Sequence, residues 1–280
     1  MGDTLKRIFE IIGFISLVCF SFFYTNEISN VIKENDDLLI QIKDNENLYN
    51  VKAIDAVILD DTIIPGVSGK KVSVDKSYNN MKKYNTFNEN LLVYDKVKPN
   101  VSVNKVYDKY IISGNKSITN ITLTFVLYSD SNIDNIINIL NKNDIKATFF
   151  VDMDYFDSNN EIISYLIKNN HTIGFLNSSK GNINYMSAVV SKINNQKYLF
   201  CFNDLKNSEF LKICSLNNNY SISSNVIDKD YYINVKKNLT NGSILTFKVS
   251  SKLDNELGLI INYVKQKGFK IINMPELINE

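Results

Sequence analysis

Asp130, Asp152, Asp154, Asp204 and Lys248 are the side chains placed where chemistry could be done, because each follows or closes an apolar run that reads as a strand. Carboxylates gathered at strand ends could form an all-oxygen site for Ca²⁺ or Mg²⁺. The same aspartates serve equally well as helix caps and turn residues, so both readings stand. Lys248 closes the strand expected at 243–249 and either meets an anionic or hydroxyl-rich ligand or carries its ammonium out to solvent along an apolar stem. With His171 the one histidine of the chain, an imidazole-rich centre is impossible in a monomer, and this histidine reads as a buried structural residue. There is no glycine-rich phosphate loop, no G-x-S-x-G elbow and no Cys/His pairing with ligand spacing.

Alternating strand and helix must position these residues. From residue 120 onward, strands are expected at 121–127, 146–152, 172–175, 197–202, 219–223, 243–249 and 269–273, separated by amphipathic runs such as "NIDNIINILNKN" and "NELGLIINYVKQKG". Apolar residues at three-and-four spacing make these runs helices, and a repeated βα rhythm argues for a parallel sheet closed into a barrel or near-barrel. In such folds chemistry sits at the C-terminal ends of the strands. Before this region, residues 51–116 read as a small mixed α/β module of short strands around Pro65-Gly66, with a helix near "SYNNMKKY". Pro99 and the "SGNKS" segment at 113–117 mark its end.

Lys+Arg 31 against Asp+Glu 30 leaves no positive field to recruit nucleic acid, and 44% hydrophobic residues are ample for a core. Lys6 and Arg7 precede "IFEIIGFISLVCFSFFY", residues 8–24, which reads as a transmembrane signal anchor with residues 1–25 as cytoplasmic tip and span. A cleavable signal peptide and a buried soluble helix are the other readings of this run. Cys19 follows Val18 where a lipidated signal needs a small residue, so lipidation is not expected. Residues 26–50 read as a stalk helix, with the body outside a bacterial cell membrane. Cys201 and Cys214 could pair if the body is extracytoplasmic, but two cysteines do not make a disulfide framework, and ordinary buried thiols are the expected state.

The stretch "ITLTFVLYSDSNIDNIINILNKNDIKATFFV" resembles the opening of a NodB-type polysaccharide deacetylase, where a strand ending Thr-Phe-Asp-Asp-Gly leads through a helix to a Lys-Ala-Thr-Phe-Phe-Val strand. "YLIKNNHTIGFLNSS", "NGSILTFKVS" and "LGLIINYVKQKGFKIINMPELI" are similar to its later segments, so the resemblance covers residues 117–280. It implies a distorted parallel βα barrel and metal-assisted hydrolysis of an acetyl group, with an Asp and two His on a divalent ion, a second Asp as base and a late His as acid. Carried over position by position, the base falls on Val126, the acid on Lys248 and the metal ligands on Leu127, Leu176 and Lys180, while an arginine position falls on Cys201. Aliphatic side chains offer a metal no lone pair, and a lysine ammonium repels it. The resemblance therefore implies a pseudoenzyme without cofactor, binding cell-wall polysaccharide, peptidoglycan or an envelope protein, with Asp130, Asn177, Asp204, Asp230 and Lys248 as candidate ligand contacts. Two alternatives remain: a deacetylase acting through a rebuilt site, with zinc or another divalent ion, and a purely structural envelope protein.

Overall fold

The computed structural model describes residues 11–24, 36–176, 179–194 and 199–280, which fall into two compact units. The smaller comprises residues 1–52 and 69–97 so far as they are described, and the larger residues 53–68 and 98–280.

In the smaller unit, helix α1 occupies residues 11–24 with its apolar side chains exposed, Leu17 at 72% and Phe20 at 78%. Among the described residues no helix is long and apolar enough to cross a membrane. The span expected at 8–24 begins outside the described residues, and what is described falls short of the roughly 20 residues a crossing requires, so a transmembrane helix is not supported. The stalk expected at 26–50 is described only from residue 36, and it is not free-standing. Helix α2 (Asp37–Tyr49), capped by Asp36, buries Leu38, Leu39 and Ile42. Leu38 and Ile42 pack with Val72 of β3 (Gly69–Val72), Met81 of helix α3 (Val74–Met81) and Leu92, which lies just before β4 (Tyr94–Val97), the antiparallel partner of β3. An apolar stripe at three-and-four spacing needs a partner, and this sheet supplies it.

The larger unit is built on a parallel-dominated sheet in the order β1-β2-β5-β10-β9-β8-β7-β6-β12-β11, with β13 (Lys270–Ile271) beside β6. Its central strands are β6 (Asn120–Leu127), β7 (Thr148–Val151), β8 (Thr172–Leu176), β9 (Phe200–Phe202), β10 (Tyr220–Ile222) and β12 (Ile244–Lys248). These agree with the expected strands to within a few residues, whereas β11 (Val226–Ile227) was too short to give a periodic signal. β1 (Val57–Leu59) and β2 (Thr62–Ile64) form an antiparallel hairpin, and β2 pairs in parallel with β5 (Tyr110–Ile111), which pairs with β10. The boundary expected at 116 therefore does not divide the units: residues 53–68 and 98–116 extend the large sheet. Hydrogen bonds to Glu280 hold this arrangement, its carboxylate accepting from the backbone of Gly66 (2.6 Å) and Val103 (2.9 Å) and from Ser102 Oγ.

Alternation along the strands creates two apolar layers. The outer one sets Phe125, Leu127, Phe149, Val151, Phe175 and Cys201 against helices that include α4 (Asp134–Lys142), α8 (Ser208–Leu216) and α10 (Ser251–Gln266). The inner one gathers Ile63, Ile111, Val126, Phe150, Phe200 and Ile222 on the concave face, with Met274 and Leu277 of α11 (Met274–Leu277) packed among them. Cys201 and Cys214 are joined by a disulfide from β9 to α8, with Cα atoms 6.4 Å apart. The expected pair of thiols is thus corrected, and the reason is tertiary: βα packing brings the outward face of β9 onto the buried face of α8.

Candidate functional site

At the C-terminal ends of the strands the inner face is filled with apolar side chains. Val126 stands opposite Phe150 on β7, Phe150 opposite Gly174 on β8, and Leu176 opposite Phe202 on β9. The Phe150 and Phe202 ring centroids lie 5.0 Å apart, and Val126, Phe150, Leu176 and Phe202 are all nearly inaccessible to water. Gly174 makes the packing possible, since a Cβ there would come within 2.5 Å of the Phe150 ring and 2.7 Å of the Phe200 carbonyl. A barrel mouth able to hold a polar centre is closed here by a hydrocarbon plug.

Val126 and Leu176, aligned with a base and a metal ligand, do meet in this plug. Leu127 does not: it belongs to the outer layer with Phe125 and Val151. Adjacent residues of an extended strand face opposite sides, and β6 stays paired through Leu127, opposite Val151, so in this chain the two side chains lie in different layers. Lys180 is exposed at the start of α7 (Lys180–Asn194), and Asn177 lies outside the described residues. Among the described residues no group of three His, Cys, Asp or Glu side chains could hold a metal ion. The donor set does not fit the divalent metal of the deacetylases, because two leucines and a lysine stand at its aligned positions.

Beside the plug the chemistry is different. Lys248 is in register with Val126, and one step below them Thr246 and Thr124 join hydroxyls at 2.6 Å. Its ammonium lies 5.7 Å from the centroid of Tyr128, the first residue beyond β6, within the range of a cation–π contact. Burial above all, and then the carboxylates of Asp204 and Asp152, hold the Tyr128 phenol above its ordinary pKa, so this hydroxyl stays protonated at neutral pH. Tyr128, Asp130, Ser131, Lys248, Ser250 and Asp254 line a cleft of about 590 Å³. Ser131 Oγ accepts from the Tyr128 N–H and Ser250 Oγ from the Leu253 N–H, fixing the loop and the α10 N-terminus that form its walls. Buried Tyr231 donates to the Lys248 carbonyl or shares a hydrogen with Ser250 Oγ, both at 2.9 Å, and so holds the strand end in place.

The structure thus brings Asp130 and Lys248 to one cleft, and Asp204 does not line it although its charge reaches Tyr128. Asp230 is elsewhere, with left-handed backbone and an exposed ion pair to Lys252 at 3.2 Å. Asp152 caps α5 (Met153–Ser158) through Tyr155 N at 2.8 Å, the structural role open to any aspartate after a strand. Tyr128, Ser131, Ser250 and Asp254 were not singled out in sequence, although a tyrosine directly after a buried strand and a serine directly before a helix were there to be read. His171 is fully buried, accepting from Ala147 N at 3.2 Å through Nδ1 and touching Phe149 edge-on. Burial, helped by Lys146, pushes its pKa down to about 4.

Comparison with known proteins agrees with this geometry. Residues 113–179 match the family described as polysaccharide deacetylase. A protein of Bacillus subtilis (strain 168) called YlxY and described as uncharacterized is 32% identical over 106 residues, which span 38% of this chain and 33% of that protein. The crystal structure of BA3943 from Bacillus anthracis, described as a CE4 family pseudoenzyme, superposes with a TM-score of 0.63 at 23% identity, covering 88% of this chain and 96% of that one. PdaA of Bacillus subtilis, a family 4 carbohydrate esterase, gives 0.53 at 20% identity over 63% of this chain and 86% of its own. In its fold, and over residues 113–179 in its sequence, the chain resembles the NodB-type polysaccharide deacetylases, the family 4 carbohydrate esterases, as a degenerate copy without their metal and catalytic side chains.

Proposed function

We propose that this protein is a deacetylase-like pseudoenzyme of a bacterial cell envelope that binds envelope glycan at the mouth of its barrel without hydrolysing it. The observation that carries this reading is the pairing of the apolar plug with Lys248: the centre that would activate water is replaced by hydrocarbon, yet the adjoining cleft keeps a cation, an aromatic ring and hydroxyls. A lysine ammonium, a tyrosine face and serine hydroxyls together suit a hydroxyl-rich ligand, with the ring supplying an apolar surface and the polar groups fixing orientation. An extracytoplasmic place is supported by the Cys201–Cys214 disulfide, which persists in oxidising compartments, and by the exposed apolar face of α1, which would hold the chain to a membrane.

Purified full-length protein should release no acetate from chitin oligomers or peptidoglycan and should retain no zinc after dialysis. Pull-down on insoluble peptidoglycan should retain it, with Lys248→Ala weakening retention about tenfold, the worth of one charged hydrogen bond. Acetate release together with a stoichiometric metal would replace this reading by a rebuilt hydrolase. Retention that Lys248→Ala and Asp130→Ala leave unchanged would move the contact away from the mouth.

A further inference from the structure

A second cleft of about 380 Å³ opens on the flank of the larger unit, lined by Ser113, Lys116, Ser223, Ser224, Ser243 and Asn225 above the apolar side chains of Ile112, Ile227 and Ile244. It lies among the segments that follow β5 and β10, strand β11 and the start of β12. Its walls are firmly built. Gly114 N donates to the Gly242 carbonyl at 2.7 Å, and Gly242 has φ +73°, with no room for a Cβ against the Gly114 carbonyl. Asn115 donates to the Pro65 carbonyl at 2.7 Å and accepts from Ser117 N at 2.9 Å, so the "SGNKS" segment is anchored on both sides. The Lys116 ammonium donates to the Asn241 carbonyl at 2.9 Å across the cleft rim.

Two features point to a ligand. Ser113 is a buried residue, 5% exposed, and its covered hydroxyl has no hydrogen-bond partner, although an unpaired buried hydroxyl costs about 1–3 kcal/mol. Ser224 Oγ, by contrast, lies 2.6 Å from Thr246 Oγ1, which lies 2.6 Å from Thr124 Oγ1, so hydroxyls continue inward from the cleft floor. The charge is also one-sided: among the described residues no carboxylate lines the cleft and Lys116 is its one cation, partly desolvated there, which lowers its pKa. A single monovalent ammonium balances a carboxylate but not a phosphate dianion, and it lacks the bidentate fork that phosphate sites favour. Serine and asparagine groups both donate and accept, and isoleucine side chains offer a surface for C–H groups, a combination that suits a pyranose ring.

We propose that this flank cleft binds a carboxylated sugar residue, its carboxylate at Lys116 and its ring hydroxyls at Ser113, Ser223 and Ser224. It is separate from the mouth cleft, so the two sites stand or fall independently. The test is calorimetric titration of the full-length protein with methyl glucuronide, methyl glucoside and acetate. The glucuronide should bind about tenfold more tightly than either of the others. Lys116→Met should bring glucuronide and glucoside to parity, and Ser113→Ala should weaken the glucuronide several-fold without lowering Tm, because it removes an unsatisfied hydroxyl. Lys248→Ala should leave this binding unchanged. Equal affinity for glucuronide and glucoside, or for glucuronide and acetate, overturns the proposal. So does loss of glucuronide binding in Lys248→Ala with Lys116→Met unaffected, which would assign the sugar to the mouth.

Discussion

His171 illustrates how far a single residue can be read. As the one histidine of the chain it read as a structural residue, and the structure buries it against Phe149 with Ala147 N as donor. Its pKa of about 4 lies below the ordinary 6.5, so between these values the unfolded chain binds the proton and the folded chain does not. Stability therefore falls as pH drops from 6.5 towards 4, by roughly 3 kcal/mol in total, and is flat in this contribution below that. Urea titrations across pH 4–7.5 should show this slope, and His171→Leu should flatten it while losing about 1 kcal/mol at neutral pH through the missing hydrogen bond. The same scale separates Val126 from Leu127. Both are aliphatic in the sequence, but only the pairing of β6 through Leu127 shows that one fills the mouth and the other the helix layer.

Strands and helices of the larger unit were legible because each carries its own periodic signal: β6 is a buried run, and α4 and α10 repeat their apolar residues at helical spacing. β1, β2 and β5 gave no such sign of belonging to the large sheet. They are two or three residues long, and β2 and β5 join the large sheet only through partners far away in sequence. Close contacts between elements decide stability at this scale. Gly174→Ala should destabilise by about 2–3 kcal/mol, because the ring of Phe150 can yield but the Phe200 carbonyl is fixed in the sheet. Chemical denaturation would register it as a lower midpoint with an unchanged slope. Glu280→Ala should cost about 2–4 kcal/mol by leaving the Gly66 and Val103 amides buried without an acceptor, and increased proteolysis within residues 53–68 and 98–110 would locate the effect.

At the scale of the whole molecule the disulfide links sheet to helix, closing a loop of 13 residues' separation between Cys201 and Cys214. Reduction, or Cys214→Ala, should lower stability by roughly 3 kcal/mol, measurable as a Tm difference with and without reductant. The sequence by itself determined the alternation of strand and helix, the parallel sheet and the absence of ligand chemistry at the aligned positions of a deacetylase. Those properties rest on residue type and local period, and both are written in the chain. Tertiary structure alone decided that α2 packs on a small sheet, that Cys201 meets Cys214 and that Leu127 turns away from Val126. It also decided that Lys248 and Asp130, more than a hundred residues apart, share a cleft with Tyr128. Such outcomes depend on which faces meet when the sheet curls, and no local pattern records that.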